Sequence, residues 1–243
     1  MKLYYDLHIH SCLSPCGDSQ MTPANIAGMA YLAGLDIAAI ADHNTAKHCR
    51  VFAAWALRYG ILPIPAMELN TREDAHILCL FPDLEAAEDF DIFVHDRLPG
   101  ILNRPDFFGE QCLLDEDDQI IGHEELLLTA GTDISVYEVA DLMDRRGGIA
   151  IPAHVDRSAN SVPSQLGFVT DDMRFCIAEV TRSGDTKSLS SHNPALAGKP
   201  FITNSDAHYL HDIRDKEYAI EVAEKTVQSV IDSLRKGIGL PRL

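Results

Sequence analysis

Hydrophobic and polar side chains alternate along the chain from Leu3 to His10. Leu3, Tyr5, Leu7 and Ile9 fall on one face and polar residues mostly fall on the other, which predicts a half-buried β-strand. Further strands are predicted from short apolar runs bounded by glycine, proline or polar residues. These runs cover residues 36–41, 61–67, 76–81, 148–153, 176–181, 200–204 and 217–222.

Helices are predicted between these strands from apolar stripes at helical spacing and from capping residues. Thr22 followed by Pro23 is typical of a helix start, and Gly34 of a helix end. Ser135 and Glu138 form a capping-box pattern at the start of another helix. Seven or eight strands interleaved with helices predict an α/β fold, and specifically a parallel (β/α) barrel. Two more helices are predicted over residues 46–59 and 226–236.

Residues 83–134 interrupt this alternation of strands and helices. Residues 83–97 are acidic with a helical pattern, and residues 112–121 are typical of a hairpin around an acidic turn. The segment is too short to hold a hydrophobic core of its own. We therefore expect a single domain over residues 1–243 with an insertion at about 83–134.

The composition is unusual in its acidic balance and its histidines. The chain has 20 Lys and Arg against 37 Asp and Glu, a net charge of −17, and it has 11 histidines. An acidic surface repels nucleic-acid phosphates and anionic lipid, so neither long nucleic acid nor a membrane is an expected partner. The sequence shows no apolar signal segment, no run long enough to span a membrane and no CxxC pair among its six cysteines. We expect a cytoplasmic protein with reduced thiols.

Conspicuous histidines and carboxylates follow the predicted strands directly. In a parallel barrel the carboxyl ends of all strands share one face, so residues far apart in sequence converge there. His76 differs because it opens a strand, and it joins the group only if that strand runs antiparallel or its loop folds inward. The residues at strand ends are His8, His10, Asp42, His43, Glu68, His154, Asp206 and His208.

These residue types favour a metal site at the barrel mouth. Imidazole and carboxylate are natural ligands for Zn, Mn and Fe. The spacing of His8 and His10 on a strand puts both rings on one face, and the carboxylate of Glu68 can bridge two ions as two-metal hydrolases require. Taken alone, each pair is equally typical of a core histidine or a turn cap. Their shared position after apolar strands favours the metal interpretation.

Several short motifs around these residues occur in a fixed order along the chain. They are His8-Ile9-His10-Ser11, Ala41-Asp42-His43-Asn44-Thr45, Met67-Glu68, His76-Ile77-Leu78, Pro152-Ala153-His154 and Asn204-Ser205-Asp206-Ala207-His208. In these motifs and their order the sequence resembles the polymerase and histidinol phosphatase (PHP) family of metal-dependent phosphoesterases. The resemblance implies a distorted seven-stranded (β/α) barrel, TIM-like, whose mouth holds two to three divalent metal ions of Zn, Mn or Fe.

The resemblance also implies a ligand set in which Glu68 bridges two metals. The first metal would be held by His8, His10, Glu68 and Asp206. The second would be held by Glu68, His76 and His154. A third would be held by His43 and His208, and Asp42 would orient the site without binding metal.

The remaining ligand of the third metal lies in the loop after the first strand. Counting forward from His10 points to Cys16, and counting back from Thr22 points to Asp18. We expect Asp18, because a carboxylate suits a hard hydrolytic metal, whereas Cys16 would indicate zinc or iron.

The implied activity is metal-assisted hydrolysis of a small phosphomonoester, or of a nucleotide or cyclic phosphodiester. Glu68 would be central to water activation, and His43 or His208 would protonate the leaving oxygen when free of metal. Arg157 and Arg182 are placed to bind the phosphate, although each is equally typical of a rim salt bridge.

Three alternative functions stay open at this point. The first is a 5′–3′ exonuclease or oligoribonuclease of the same family, acting on short oligonucleotides. The second is a metal-binding module without catalysis. The third is an amidohydrolase, which usually bridges its metals through a modified lysine where this chain has Glu68.

Overall fold

Eleven strands and eight helices form a mixed α/β fold, and all 243 residues are described in this computed structural model. The strands are β1 (Lys2–Ile9), β2 (Ile37–Ile40), β3 (Leu62–Pro63), β4 (Ala66–Asn70), β5 (His76–Leu80), β6 (Cys112–Leu114), β7 (Ile120–His123), β8 (Ile149–Pro152), β9 (Ala178–Glu179), β10 (Phe201–Ile202) and β11 (Ala219–Glu221). The helices are α1 (Pro23–Leu32), α2 (Cys49–Arg58), α3 (Leu84–His95), α4 (Pro105–Phe108), α5 (Val136–Asp144), α6 (Val162–Leu166), α7 (Thr186–His192) and α8 (Val227–Lys236). Short 3₁₀ turns occur at Asp171–Met173, Pro194–Leu196 and Leu210–Asp212.

The predicted helix starts are made by the expected capping contacts. The Thr22 side chain accepts a hydrogen bond from the Asn25 backbone N–H at 3.2 Å, and Pro23 opens α1. Ser135 caps α5, and the Glu138 carboxylate returns the contact by accepting from the Ser135 backbone N–H at 2.9 Å. Each contact satisfies a backbone donor that the helix itself leaves unpaired.

The strands form four sheets. One has the order β11–β1–β2–β3, with β1, β2 and β3 parallel, and the second has the order β4–β5–β8. The third is the parallel pair β9–β10, and the fourth is the β6–β7 hairpin. The predicted α/β class is confirmed, but a single closed parallel sheet is not seen.

Two strands run against the expected parallel direction. β5 is antiparallel to both β4 and β8, and β11 is antiparallel to β1. Only residues 71–75 separate β4 from β5, and a connection this short cannot carry the crossover that parallel strands need. The reversal brings the first residue of β5 beside the last residue of β4, where Asn70 pairs with His76.

The sheets approach one another at the strand ends that the sequence marks as functional. Isolated parallel bridges join His43 to Glu68 and Ile9 to Ala207. The Val155 backbone N–H donates to the Glu179 carbonyl at 2.9 Å, which connects the end of β8 to β9. The ends of β1, β2, β4, β8, β9 and β10 and the start of β5 therefore surround one region.

The first part of the predicted insertion belongs to the main hydrophobic core. Ala87, Phe90 and Val94 of α3 are fully buried in the same cluster as β5 and α5. The β6–β7 hairpin, by contrast, exposes Ile120 and Ile121. No helix in the protein combines the length and apolar character needed to cross a membrane.

Candidate metal centre

Glu68 lies at the centre of a buried cluster of histidines. It projects from β4 and is 1% exposed. One carboxylate thus faces five imidazoles, a density of ligand groups that a packed core does not need. The nitrogens nearest its oxygens are His8 Nε2 at 3.2 Å, His10 Nε2 at 3.3 Å, His43 Nδ1 at 3.0 Å, His76 Nδ1 at 3.0 Å and His154 Nε2 at 3.3 Å.

The strands explain why these side chains meet. His8 and His10 share one face of the strand ending, as the period of two dictates. His76 reaches the cluster because β5 runs antiparallel, which is one of the two conditions that the sequence analysis set. Asp206 and His154 sit just after their strands with positive φ angles of 52° and 31°, a conformation that is strained for residues other than glycine.

Asp206 completes the first group of ligand atoms. Its Oδ1 lies 3.1 Å from His10 Nε2 and 3.6 Å from His8 Nε2. These three atoms are buried and make no hydrogen bond. An unpaired buried polar atom costs about 1–3 kcal/mol, so three of them side by side fit a bound cation. The residues present therefore fit the divalent metal that the sequence predicts.

The charges of the cluster shift the pKa values of its members. Burial opposes protonation of His8, but the carboxylates of Glu179, Glu68 and Asp206 raise its pKa well above the usual value. Burial likewise works against His10, yet the nearby carboxylates of Asp206 and Glu68 raise its pKa to about 9. The charges of His76 and His8 overcome burial and hold the pKa of Glu68 well below its usual range. A metal would therefore have to displace protons from the histidines.

Glu179 is a member of the site that sequence reasoning missed. It is buried on β9, and its carboxylate accepts from His8 Nδ1 at 3.1 Å, from the His154 backbone N–H at 3.0 Å and from Asn204 Nδ2 at 2.7 Å. The bond to Nδ1 leaves His8 Nε2 free on the metal side. The available signal was a lone carboxylate in the middle of an otherwise apolar predicted strand.

A second group of ligand atoms contains a thiol where a carboxylate was expected. The donor atoms of His10, Cys16, His43 and His208 lie within 4.8 Å of one another. The structure does not bring Asp18 to this group, because its carboxylate accepts from the Gln20 backbone N–H at 2.9 Å.

The path of the loop explains the exchange of Asp18 for Cys16. A Cβ at Gly17 would lie 2.2 Å from the Ser11 carbonyl oxygen, so only glycine allows the chain to turn this closely. The turn places the preceding residue, Cys16, against the histidines and carries Asp18 past them. In the structure Cys16, and not Asp18, therefore lies beside these histidines.

We expect Cys16 of the metal-free protein to be alkylated by iodoacetamide as a thiolate. Burial raises the pKa of this thiol, but hydrogen bonds with His208 and His43 outweigh burial and lower the pKa to about 5. The rate should therefore rise between about pH 4 and 6 and be flat above it. Cys176 serves as the internal control. Its side chain is exposed, but partial desolvation of the sulfur raises the pKa of this thiol.

Peptide mass spectrometry after timed labelling gives both rates in one sample. Added zinc should protect Cys16 and leave Cys176 unchanged. A Cys16 rate that keeps climbing towards pH 9 in parallel with Cys176, or that zinc does not slow, would contradict the assignment.

A small arginine-lined cleft of about 170 Å³ opens beside the cluster, against His154 and Asp206. Arg157 Nη1 lies 2.5 Å from Asp206 Oδ2, and Arg182 Nε lies 3.0 Å from Glu217 Oε1. Arg214 also lines the cleft and was not identified from the sequence. The cleft therefore presents guanidinium groups directly next to the candidate ligands.

Comparison with known proteins places the fold. No protein-family model matches the chain, and no curated protein matches it either. Solved structures do match. The lesion-specific endonuclease Q from Pyrococcus furiosus aligns with a TM-score of 0.69 at 20% identity, over 98% of this chain and 57% of the endonuclease. This chain thus spans little more than half the length of that enzyme.

Two further structures align over nearly their whole length. A protein from Bifidobacterium adolescentis described as a metal-dependent phosphoesterase has a TM-score of 0.59 at 19% identity, covering 97% of each chain. An amidohydrolase from Chromobacterium violaceum with bound sulfate has a TM-score of 0.56 at 16% identity, covering 92% and 93%. Identities this low establish the fold alone. The chain shares its fold with these three proteins.

The histidines outside the cluster divide into two kinds. His48 is buried, since it is 1% exposed and hydrogen-bonded to Ser11. The pattern of α2 gave no sign of this, because the partner of His48 comes from a distant loop. The others lie on the surface, namely His95, His123, His192 and His211.

Proposed function

We propose that the protein is a metal-dependent hydrolase of phosphate esters. The observation that carries the proposal is the position of the arginine-lined cleft, which adjoins the buried cluster around Glu68 at Asp206 and His154. Guanidinium groups recognise phosphate oxygens through paired hydrogen bonds. Candidate metal ligands next to such a cleft are what hydrolysis of a phosphate ester requires.

We propose the ligand set that the family resemblance implies, with Cys16 beside His43 and His208 in the place considered for Asp18. Bound ions would lower the pKa of a water molecule and neutralise charge on the phosphoryl oxygens. His8, His10, Glu68 and Asp206 are proposed for the first ion, and Glu68, His76 and His154 for the second. His43, His208 and Cys16 are proposed for a third.

The remaining steps fall to side chains of the chain itself. Arg157 and Arg182 are proposed to hold the phosphate, with Arg214 as a third cation at the cleft. The His208 Nδ1–H donates to the Asp206 carbonyl at 2.8 Å, which leaves Nε2 as the atom that can hold metal or a proton. When free of metal, His43 or His208 is proposed to protonate the leaving oxygen.

We further infer that β1, β2, β4, β5, β8, β9 and β10 correspond to the seven strands of a distorted barrel. The bridges between strand ends support this order. Residues 1–243 would then be one domain, with the insertion at about 83–134 forming part of the wall near the site.

A small phosphorylated substrate is our first candidate, because the cleft is small and the net charge is −17. Hydrolysis of p-nitrophenyl phosphate, nucleoside monophosphates and cyclic nucleotides by zinc- or manganese-loaded protein tests this directly. We expect at least one of them to be hydrolysed and EDTA to abolish the reaction. Loaded protein that hydrolyses no ester would instead favour a metal-binding module without catalysis.

Cleavage of nucleic acid is the second candidate. It is favoured by the alignment with endonuclease Q in complex with a 27-mer duplex that carries an abasic lesion, at a TM-score of 0.66 and 20% identity. This likeness weighs against the expectation that long nucleic acid is excluded. A 5′-phosphorylated oligonucleotide and a duplex with an abasic site, assayed beside the small esters, separate the two candidates by which substrate is turned over.

A further inference from the structure

A buried chain of polar side chains connects the β6–β7 hairpin to His10. It begins at His48, which lies directly before α2. The Nε2 atom of His48 accepts a hydrogen bond from the Leu114 backbone N–H of β6 at 3.1 Å. A ring nitrogen that accepts cannot carry a proton, so the neutral ring carries it on Nδ1. Nδ1 lies 2.8 Å from the Ser11 hydroxyl and donates to it.

The next link is the hydrogen bond from the Ser11 hydroxyl to Asp42. A hydroxyl has one hydrogen to give and two lone pairs to accept with. Ser11 Oγ accepts from His48 and from the Leu13 backbone N–H at 3.1 Å, so its hydrogen goes to Asp42 Oδ2 at 2.6 Å. Every hydrogen-bonding position of this buried hydroxyl is therefore filled.

Ser14 carries the chain from Asp42 to His10. The Ser14 hydroxyl donates to Asp42 Oδ1 at 2.7 Å, so it can only accept from His10 Nδ1, which lies at 3.1 Å. The proton of His10 is thereby held on Nδ1. In the neutral ring, which is the state that binds metal, Nε2 then faces Glu68 and Asp206 with a free lone pair.

The hairpin contacts the same loop a second time. The Cys112 backbone N–H, two residues before Leu114 on β6, donates to the Cys12 carbonyl at 3.1 Å. Cys112 and Leu114 therefore use one edge of β6 against the loop and His48. The hairpin and the chain that ends at His10 therefore meet at His48.

We propose that His48 is a positioning residue with two separate contacts, of which Nε2 holds the β6–β7 hairpin and Nδ1 orients His10 for metal binding. The proposal rests on the proposed function only in taking His10 as a metal ligand. It predicts that His48 has two separable tasks, since Nδ1 serves the metal side and Nε2 serves the hairpin.

Two conservative variants separate these tasks. In His48→Asn the amide nitrogen takes the place of Nδ1 and nothing replaces Nε2. In His48→Gln the amide oxygen takes the place of Nε2 and the donor to Ser11 is lost. His48→Phe removes both groups, and His211→Asn is the matched control because its side chain is 81% exposed.

Zinc affinity by chelator competition and amide hydrogen exchange at Leu114 give the two readouts. We expect His48→Gln to weaken zinc binding about 10-fold, which is at the lower end of the loss seen when a hydrogen-bond partner of a metal ligand is replaced. The Leu114 amide should stay protected from exchange in this variant. His48→Asn should keep zinc affinity and lose protection at Leu114. His48→Phe should lose both, and His211→Asn neither.

Loss of both properties together in the Asn and Gln variants would overturn the assignment of two separate contacts. A folded His48→Phe variant that binds zinc within about twofold of the wild type would overturn the role of His48 in orienting His10. If His48→Phe does not fold, the other two variants still decide. Wild-type protein that binds zinc but hydrolyses no ester would overturn the proposed function alone, because neither readout depends on activity.

Discussion

Replacing Glu68 by Gln is expected to remove the metal ions and to lower phosphate-ester hydrolysis by about 10³-fold or more. Its carboxylate faces five imidazole nitrogens at 3.0 to 3.3 Å, so it is the one anion that every proposed ion of the first two sites shares. The amide is neutral and turns an N–H group towards the cluster. Losing the ions forfeits several kcal/mol of stabilisation in the transition state, and each 1.4 kcal/mol is about tenfold in rate.

The matched control is Glu88→Gln. Glu88 pairs with Arg50 on the surface, with its side chain 45% exposed, so the same change of charge should leave metal content and rate unaltered. Metal content is measured by elemental analysis and the rate on the best ester from the substrate screen. If the Glu68 variant kept its ions and its activity, the bridging role would be wrong.

Removal of the metal is expected to lower the melting temperature on the order of 10 °C. An ion at 1,000 times its dissociation constant stabilises a protein by about 4 kcal/mol, and each kcal/mol is worth about 2–4 °C in a chain of this size. Calorimetry of loaded and EDTA-treated protein measures the difference. A shift of less than about 2 °C would show that the cluster holds no tightly bound ion.

This stabilisation should grow as the pH rises. Raised histidine pKa values stabilise the metal-free protein below the unfolded value of about 6.5, and that stability is lost as the pH rises through the folded value, about 9 for His10. The lowered pKa of Glu68 stabilises it above the unfolded value, and that contribution is lost only in acid. The metal-free protein should therefore be most stable near pH 5 to 6, and the melting-temperature difference between the two forms should widen from pH 6 to 9. A melting-temperature difference that stays constant from pH 6 to 9 would contradict the displacement of histidine protons by metal.

The sequence predicted the centre of the site because strand geometry is local. A period of two puts His8 and His10 on one face, and apolar runs show where a strand ends. Glu68 and Asp206 were found by the same reasoning. The condition set for His76 was also met, although its cause, a short antiparallel connection, became visible only in the structure.

The rest depends on contacts between distant segments. Cys16 replaces Asp18 because Gly17 packs against the Ser11 carbonyl, and no residue pattern encodes the path of that loop. Glu179 contacts His8, which is 171 residues away in the sequence, and His48 contacts the backbone of Leu114, which is 66 residues away. Periodicity reports which face a residue occupies but not which partner comes to meet it.

The arrangement of the strands was predicted only in part from the sequence. Alternation of apolar runs and helices predicted the α/β class, yet the same pattern is produced whether neighbouring strands run parallel or antiparallel. The direction of β5 was left open for this reason, and connection length is the sequence feature that distinguishes the two.

The most direct test is a crystal structure of protein grown with zinc or manganese, with anomalous diffraction recorded at the metal edge. We expect anomalous peaks on both sides of Glu68. One should lie towards His8, His10 and Asp206 and the other towards His76 and His154. Crystals grown with zinc should show a further peak beside Cys16. Maps with no anomalous peak within coordination distance of Glu68, and histidines hydrogen-bonded directly to its carboxylate, would contradict it.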